Sequence, residues 1–554
     1  MAYLFNLLVL FWMAEAAKTV LFYLYLWQLK EYHLGRFLDH FRTEKGKRLI
    51  RGRARIIKYF IFILFFCFLL SSSGYLGREP VLKTIVFILT LVYFVQALNF
   101  LGNIIKKNIK KPVLTKKTGL LTAGGLLAEL LGLGAVLYFS GDIFLKIFLL
   151  LLLDVILPLV LSLIVLFFQV PTVIIRNQII KKATKKILQH PSLITIGITG
   201  SYGKTSTKEF LAEILSEKFN VFKTQKHQNS EMGISQCVLS DLGPEHEVFV
   251  TEMGAYNKGG VKLLCGIVKP KIGIITGVNQ QHLALFGSMG NLLSAEGGRE
   301  LIDSLPKDGL IIFNGQNPYC QDLYKSADLA KKLCSREKLL QKPMLQSDIW
   351  AENIKSGADF VSFTAKTKEG ESADFKVKVL GEHNILNLLM AAAAAQKLGV
   401  TLKEASLACG KIKPEQGAMV LIPGKEGINI IDASYSANPD GVIADLEYLK
   451  KFPAKKKIIV MPCLIELGPA SEQIHKTIGE KIGEVCDLAI ITTKDRFESI
   501  KEACLKAERL TKQNIVFLEE PDQILERINI FSSPGDAVLF EGRVSKRLIA
   551  DLKT

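Results

Sequence analysis

The chain has 554 residues, 49% of them hydrophobic, and a formal net charge of +17, a length that accommodates several domains. These averages describe neither half, since residues 1–170 are dominated by Leu, Phe, Ile and Val while residues 190–554 have an ordinary soluble mix. No basic, aromatic-interleaved face stands out, which argues against a nucleic-acid partner, and nine scattered cysteines with no CxxC pair argue against a zinc site or a disulfide framework and fit a reducing compartment.

Five apolar runs, near 3–28, 58–77, 81–101, 118–140 and 143–170, are each long enough to cross a bilayer as a helix. The first is too long for a cleavable signal and lacks a small-residue cleavage site. The third and fourth also allow a partly re-entrant path. Ten Lys and Arg crowd "KEYHLGRFLDHFRTEKGKRLIRGRARIIK" between the first two runs, "KKNIKKPVLTKK" separates the third and fourth, and "RNQIIKKATKK" follows the fifth. The other two connections, before Arg78 and around Asp142, are short and nearly uncharged. The positive-inside rule then puts the basic segments in the cytoplasm, the N-terminus outside and everything after residue 170 inside the plasma membrane. Residues 30–42 have helical amphipathic spacing that suits the cytoplasmic leaflet. Charges inside the runs are Glu15, Lys18, Glu129, Lys146 and Asp154. Glu15 and Lys18 are expected to pair and Lys146 to reach the interface, whereas Glu129 and Asp154 are open to a functional or a structural reading.

After a basic linker helix, 171–192, "LITIGIT" reads as a strand covered on both faces. "KTSTKEFLAEILSEKF" puts Phe210, Leu211, Ile214, Leu215 and Phe219 on one helical face. Between strand and helix, Gly197, Gly200 and Gly203 permit a tight turn with N–H groups aimed at phosphate oxygens. The candidate nucleotide loop is Gly200, Ser201, Tyr202, Gly203, Lys204, Thr205 and Ser206. Lys204 would reach the β- and γ-phosphates, and the hydroxyl of Thr205 or Ser206 would ligate Mg²⁺. The spacing departs from GxxxxGK[ST], because Ile198 stands where the first Gly would be.

The TGxxGKTS pattern resembles the Mur ligases, ATP-dependent amino-acid and peptide ligases of peptidoglycan precursor synthesis. Blocks in the family's order follow: "TQKHQNSEMGIS", with Asn229 and Gly233 kept and His227 in place of an Asn; "VFVTEMGAYNKGGV"; "IGIITGVNQQHLALFGS"; "LGEHNILNLLMAAAAA"; "NIIDASYSANPDG"; and "LIELG" with His475. The Glu-Met-Gly, Phe-Gly-Ser and Tyr-x-Ala-Asn-Pro contexts point to the branch that adds D-Ala-D-Ala. The apolar runs make an all-α membrane domain (1–170); the resemblance covers about residues 194–554 and implies that α/β domains follow, a central ATP-binding Mur domain (193–411) with a phosphate loop and a Rossmann-like C-terminal domain (412–554). "KKIIVMP", "LAIITT", "NIVFLEE" and "AVLFEGR" supply the strands of the latter, and a break near Lys411–Gly417 is the expected hinge.

The implied reaction is amide formation: ATP phosphorylates a carboxylate, and an amine then attacks the acyl phosphate. The resemblance implies that Thr205 and Glu252 hold Mg²⁺, that His282 serves a second Mg²⁺, and that Lys204 neutralises the transferring group. Many relatives carry a carbamylated lysine after Phe-Gly-Ser. Glu296 stands in that place here as a built-in carboxylate, with Glu300 as the alternative. Ala418 stands where an arginine usually contacts ATP. His383 and Asn384 resemble an adenine-contacting helix start, and Asp432, Tyr435 and Asn438 would close on nucleotide and amine, with Asn229 and Tyr435 near substrate. Ordinary turn chemistry is the competing reading for the C-terminal three.

Expected partners are a cell-wall precursor, an amino acid or dipeptide, and the lipid bilayer. Only about twenty residues separate the last apolar run from the phosphate-loop strand, too few for a domain that grips a UDP end. The acceptor is then either a polyprenyl-linked precursor presented at the membrane or a soluble UDP-linked peptide. A transporter ATPase would need an LSGGQ-like signature, which is absent. Another amide ligase in the same shell and an inactive scaffold are the remaining alternatives. The second is disfavoured by the retention of Lys204, Thr205, Glu252 and His282.

Overall fold

A computed structural model describes residues 2–30, 32–41, 43–70, 78–106, 109–225, 228–339, 345–417, 419–435, 437–507 and 509–553. The expectations about His227, Ala418 and the connection before Arg78 fall outside these residues. The chain forms two compact units, Met1–Ile175 and Arg176–Thr554.

The first unit is helical: α1 (Ala2–Leu29), α2 (Leu34–His40), α3 (Glu44–Arg51), α4 (Arg53–Leu70), α5 (Arg78–Ile105), α6 (Lys116–Phe139) and α7, which spans Ile143–Leu188. Among the described residues four helices are long and apolar enough to cross a membrane: Tyr3–Leu29, Leu82–Ile105, Lys116–Phe139 and Ile143–Leu188. The second expected run forms the 18-residue α4. α5 and α6 are continuous, so neither takes a re-entrant path. α6 starts at a capping box in which Thr115 and Thr118 satisfy each other's backbone N–H. Among the described residues of the amphipathic stretch 30–42, the seven-residue α2 is helical, and there Phe37 stacks on Trp27 with ring centroids 4.0 Å apart.

The last apolar run and the expected linker helix are one element. α7 continues through Pro158 and Pro171 to Leu188. Near the prolines, hydroxyls bond back into the helix, Ser162 Oγ donating to Pro158 O and Thr172 Oγ1 to Phe168 O, both at 2.7 Å.

The unit's interior also contains charge. Lys18 Nζ lies 2.9 Å from Glu15 Oε2, as the spacing predicts. Asp154 on α7 is held by Lys58 Nζ at 2.8 Å and by the Tyr93 hydroxyl at 3.2 Å, both on Oδ2. The ammonium also sits 4.0 Å above the Tyr93 ring. Three helices therefore meet at one buried ion pair.

The second unit has two sheets. Strands β1 (Ile194–Thr199), β2 (Val221–Lys223), β3 (Val248–Glu252), β4 (Ile272–Ile275), β5 (Leu310–Asn314), β6 (Ala330–Ser335), β7 (Ile349–Ser356), β8 (Val361–Thr367) and β9 (Ser372–Val377) form one sheet in the order β2-β3-β1-β4-β5-β6-β7-β8-β9. Pairing is parallel as far as β7 and antiparallel from β7 to β9. Strands β1, β4 and β5 carry no charged residue and are rich in Ile, as strands covered on both faces are. β10 (Val420–Pro423), β11 (Asn429–Ala433), β12 (Lys457–Met461), β13 (Leu488–Ile491), β14 (Ile515–Phe517) and β15 (Ala537–Glu541) form the other, in the order β10-β11-β15-β12-β13-β14, parallel except for β10–β11. A 3₁₀ turn, Pro414–Gln416, lies in the connection between the sheets, where the hinge is expected.

The chain departs from β1 to β2 and β3 on one side and to β4 on the other. Such a switch in strand order opens a crevice at the strands' C-terminal ends. The glycine-rich loop leaves β1 at that crevice and leads into α8 (Lys204–Leu215). The alanine-rich helix His383–Lys397 is buried from Asn384 to Ala395 and shares a core with α8.

Candidate functional site

The loop's path depends on two glycines. Gly200 has φ +133° and Gly203 φ +75°, conformations that L side chains rarely adopt. A Cβ at Gly200 would lie 2.3 Å from Thr276 Oγ1, and one at Gly203 would lie 2.7 Å from Asn387 Oδ1. Ser201 N donates to Gly277 O at 2.7 Å, and Asn279 N donates to Ser201 Oγ at 3.1 Å. The Tyr202 ring occupies the space a side chain at 277 would take, and its hydroxyl accepts from Asn317 Nδ2 at 3.4 Å. Thr276 Oγ1 donates to Thr199 O at 3.0 Å and also to Tyr202 O. The loop is thereby pinned against the end of β4, and the unpaired first N–H groups of α8 flank it.

Two ionic constellations stand beside the loop. In the first, Thr205 Oγ1 donates to Glu252 Oε2 at 2.8 Å, and Glu252 ends β3 with 1% exposure. The Tyr435 hydroxyl bonds to Thr205, and burial together with the Glu252 carboxylate raises the phenol's pKa. In the second, His282 Nδ1 lies 2.9 Å from Glu296 Oε2 and 3.2 Å from Oε1. Lys204 Nζ lies 3.5 Å from Glu296 Oε1 and also donates to Gly200 O. His282 Nε2 faces Glu466 Oε2 at 3.9 Å. Burial alone would lower the imidazole's pKa, but the Glu296 carboxylate outweighs it and the net shift is upward. Burial pushes the Glu296 carboxyl up, yet His282 and then Lys204 more than offset it, so the group lies below its ordinary range.

The structure separates the two glutamates that the sequence left open. Glu296 is buried against His282 and Lys204. Glu300 turns away and accepts from Gly259 N at 2.7 Å and Lys262 N at 2.9 Å, capping the helix Gly260–Val268.

The remaining expected residues fall into three groups. Asn229 lies against the end of β3, its carbonyl accepting from Gly254 N at 2.8 Å. Asn384 has no exposed surface. Its amide donates to Leu380 O at 2.8 Å and its oxygen accepts from Asn387 Nδ2 at 3.2 Å. Thr207 Oγ1 donates to Asn387 Oδ1 at 3.3 Å. Asn384 thus braces the back of the phosphate loop through Asn387. Ser206 is buried one turn into α8, leaving Thr205 as the hydroxyl at Glu252. His383 Nδ1 is buried with no hydrogen-bond partner among the described residues. Burial, and then Arg336, bring this imidazole down to about 4, so it is neutral.

Asn438 does two things. Its Oδ1 accepts from Gly441 N at 3.0 Å, capping the helix Pro439–Lys451, and from Asn279 Nδ2 at 3.0 Å. Asn279 Nδ2 also donates to Asp440 Oδ2 at 2.7 Å. Gln281 Nε2 donates to Ile465 O at 3.3 Å, and Ala284 N to Glu466 O at 2.9 Å. These bonds close the six-stranded lobe over the mouth of the site. Asp432 instead accepts from Ser434 N at 2.9 Å and shapes the loop that carries Tyr435.

Sequence reasoning missed Lys208, Glu466 and Asn279 as site residues. For Lys208 a signal existed: it follows Thr205 by three positions and so shares its helical face.

The donors suit nucleotide and magnesium. Thr205 and Glu252 are hard oxygen donors, and Mg²⁺ commonly takes one or two such protein ligands with the rest from phosphates and water. No group of three or more His, Cys, Asp or Glu side chains able to hold a metal occurs among the described residues. The left-handed glycines let the loop backbone pack directly on Thr276 and Asn387, where a Cβ would not fit.

A family model described as Mur ligase middle domain matches residues 198–395, and one described as Mur ligase, glutamate ligase domain matches residues 419–544. The UDP-N-acetylmuramoyl-tripeptide–D-alanyl-D-alanine ligase of Bacillus subtilis (strain 168) is 28% identical over 377 residues, covering 67% of this chain and 79% of that protein. Its counterpart from Escherichia coli (strain K12) is 30% identical over 285 residues, covering 51% and 61%. Among solved structures, MurF from Acinetobacter baumannii is similar with a TM-score of 0.60 at 25% identity, covering 68% of this chain and 80% of that one. The MurF ligase of Thermotoga maritima in complex with ADP is similar with a TM-score of 0.57 at 25% identity, covering 68% and 82%.

Proposed function

We propose that this chain, which belongs to the Mur ligase family of ATP-dependent ligases, joins D-Ala-D-Ala to the peptide carboxylate of a muramoyl-tripeptide precursor in cell-wall synthesis. The observation that carries the reading is the convergence of Lys204, His282 and Glu296 beside the phosphate loop, with Thr205 and Glu252 next to them.

The γ-phosphoryl group of ATP passes to a carboxylate oxygen and ADP leaves. The amine nitrogen then attacks the carbonyl carbon, the C–O bond to phosphate breaks, and the nitrogen sheds its proton. Negative charge gathers on phosphoryl oxygens in both steps, so fixed cations and dipoles dominate the stabilisation. Lys204 neutralises the transferring group, and Glu296, an anion in this setting, orients both Lys204 and His282. Magnesium held by Thr205 and Glu252, with a second ion at His282, would neutralise phosphate charge. Tyr435 and Asn438, brought over the site by the C-terminal lobe, contact nucleotide and amine. Closure of that lobe protects the acyl phosphate from water.

With α4 counted as a fifth span, we read the helical unit as holding the ligase at the cytoplasmic face of the cell membrane with its N-terminus outside. The run lengths and the basic connections support this reading. The acceptor is a UDP-linked tripeptide, as the names of the curated relatives suggest. A polyprenyl-linked acceptor is the second reading, favoured by the apolar helices and by the basic stretches 30–58 and 105–117 that would face its pyrophosphate.

One assay tests these readings. Purified protein in detergent receives ATP, Mg²⁺, an amine from a panel that includes D-Ala-D-Ala, and either acceptor, and ADP release is followed. Release that requires D-Ala-D-Ala is expected. Release supported equally by unrelated amines would overturn the amine assignment. Use of the UDP-linked acceptor at least as well as the lipid-linked one would remove the second reading.

A further inference from the structure

Lys208 lies in the second turn of α8, four residues after Lys204 and three after Thr205. It is fully buried. A lysine withdrawn from water is costly unless it is paired and hydrogen-bonded. Here Nζ donates to Thr224 O at 2.8 Å and lies 3.3 Å from Glu209 Oε1 and 3.8 Å from Glu252 Oε2. Glu209 is held in turn by Lys223. The ammonium therefore stands behind the Thr205–Glu252 pair, away from the loop and from Glu296, and ties α8 to the ends of β2 and β3.

Thr205 and Lys208, one turn apart, both act on Oε2 of Glu252, and neither contact uses Oε1. One oxygen is thus fixed from two directions. A carboxylate held in this way has a single orientation to offer a divalent cation. We infer that Lys208 is a positioning residue for the Mg²⁺-binding carboxylate of this ligase. It touches neither nucleotide nor metal itself, and it acts by holding Glu252. The inference rests on the proposed nucleotide site.

The test uses the full chain in detergent and reads binding, with no turnover involved. At a fixed saturating ADP concentration, Mg²⁺ is titrated and the thermal midpoint followed. In parallel, ADP affinity is measured in EDTA. Lys208→Met keeps the stem and removes the charge. It is expected to raise the Mg²⁺ concentration at half-effect by about tenfold or more, the usual scale for losing a partner that orients a metal ligand, with ADP affinity in EDTA unchanged. Lys208→Arg keeps the charge on a different head and, should the methionine variant not fold, decides the matter through a smaller shift in the same direction. Lys223→Met, which removes the outer cation of the same network, is expected to leave the Mg²⁺ response as it was. An unaltered Mg²⁺ response in a folded Lys208 variant would overturn the inference. So would an equal loss of ADP affinity in EDTA, which signals general distortion. A wild-type chain that binds no ADP would overturn the nucleotide site itself, and this assignment with it.

Discussion

Glu296 is buried and pairs with the half-buried His282, Oε2 to Nδ1 at 2.9 Å, with Lys204 on the other carboxylate oxygen. The carboxylate is built into the chain, so its charge does not depend on dissolved CO₂. Activity is expected to be indifferent to bicarbonate. Glu296→Gln should lower the rate of ADP release by roughly 10²-fold, the scale of losing one electrostatic stabiliser. Glu296→Lys should regain activity only when bicarbonate is added. A glutamine variant as fast as wild type would show that the charge at this position does no catalytic work.

Lys204→Ala should abolish ATP turnover while the protein stays folded, because Lys204 is the loop residue able to carry a positive charge to the transferred phosphoryl group. ADP release measured next to a thermal melt checks this. Wild-type turnover in the variant would remove Lys204 from the mechanism.

The Lys58–Asp154 pair is expected to control the stability of the helical unit. Asp154→Asn leaves a buried ammonium without its counter-charge, at a cost of about 3–5 kcal/mol. Replacing both partners, Lys58→Met with Asp154→Leu, should recover most of that loss. Unfolding in detergent micelles measures both. If the single and double variants were equally unstable, the pair would have a role beyond mutual neutralisation.

Asp445 and Glu541 are buried together in the C-terminal lobe. Burial raises both carboxyls, and for Glu541 the neighbouring Asp445 carboxylate adds to it. Folded values above the unfolded ones mean that the folded state keeps its protons longer. The pair's stabilisation is therefore complete below about pH 4, where unfolded carboxyls titrate, and declines as pH rises above that range. Asp445→Asn, neutral at every pH, should flatten this decline. Urea midpoints compared in mildly acidic and mildly alkaline buffer report it, and an identical decline in wild type and variant would exclude the pair as its source.

The glycine-rich loop was legible because strand, turn and helix are contiguous, and the positive φ of Gly200 and Gly203 follows from the tight turn between them. Glu252 and His282 were legible through the blocks around them. Glu296 and Glu300 were not separable, since four residues of one polar segment give no sign that Glu300 caps a distant helix. Lys208 was not singled out, because only the fold brings Thr224 and Glu252 to it. Lys58 was read as part of a basic connection, and its partner Asp154, 96 residues away, became visible only when three helices met. The extent of α7 was misjudged at Pro171, where a hydroxyl on the next residue bonds back into the helix and the helical path continues.

At the mouth of the site, the bonds from Asn279, Gln281 and Ala284 to the C-terminal lobe are polar, and water can replace each of them. Parting the lobes there forfeits only about 0.5–1.5 kcal/mol per bond. Such a seam reopens readily, and the pace of catalysis can then be governed by the drag of solvent on a moving lobe. Turnover should slow as glycerol thickens the medium, and Asn279→Ala, with fewer bonds to break, should blunt that dependence.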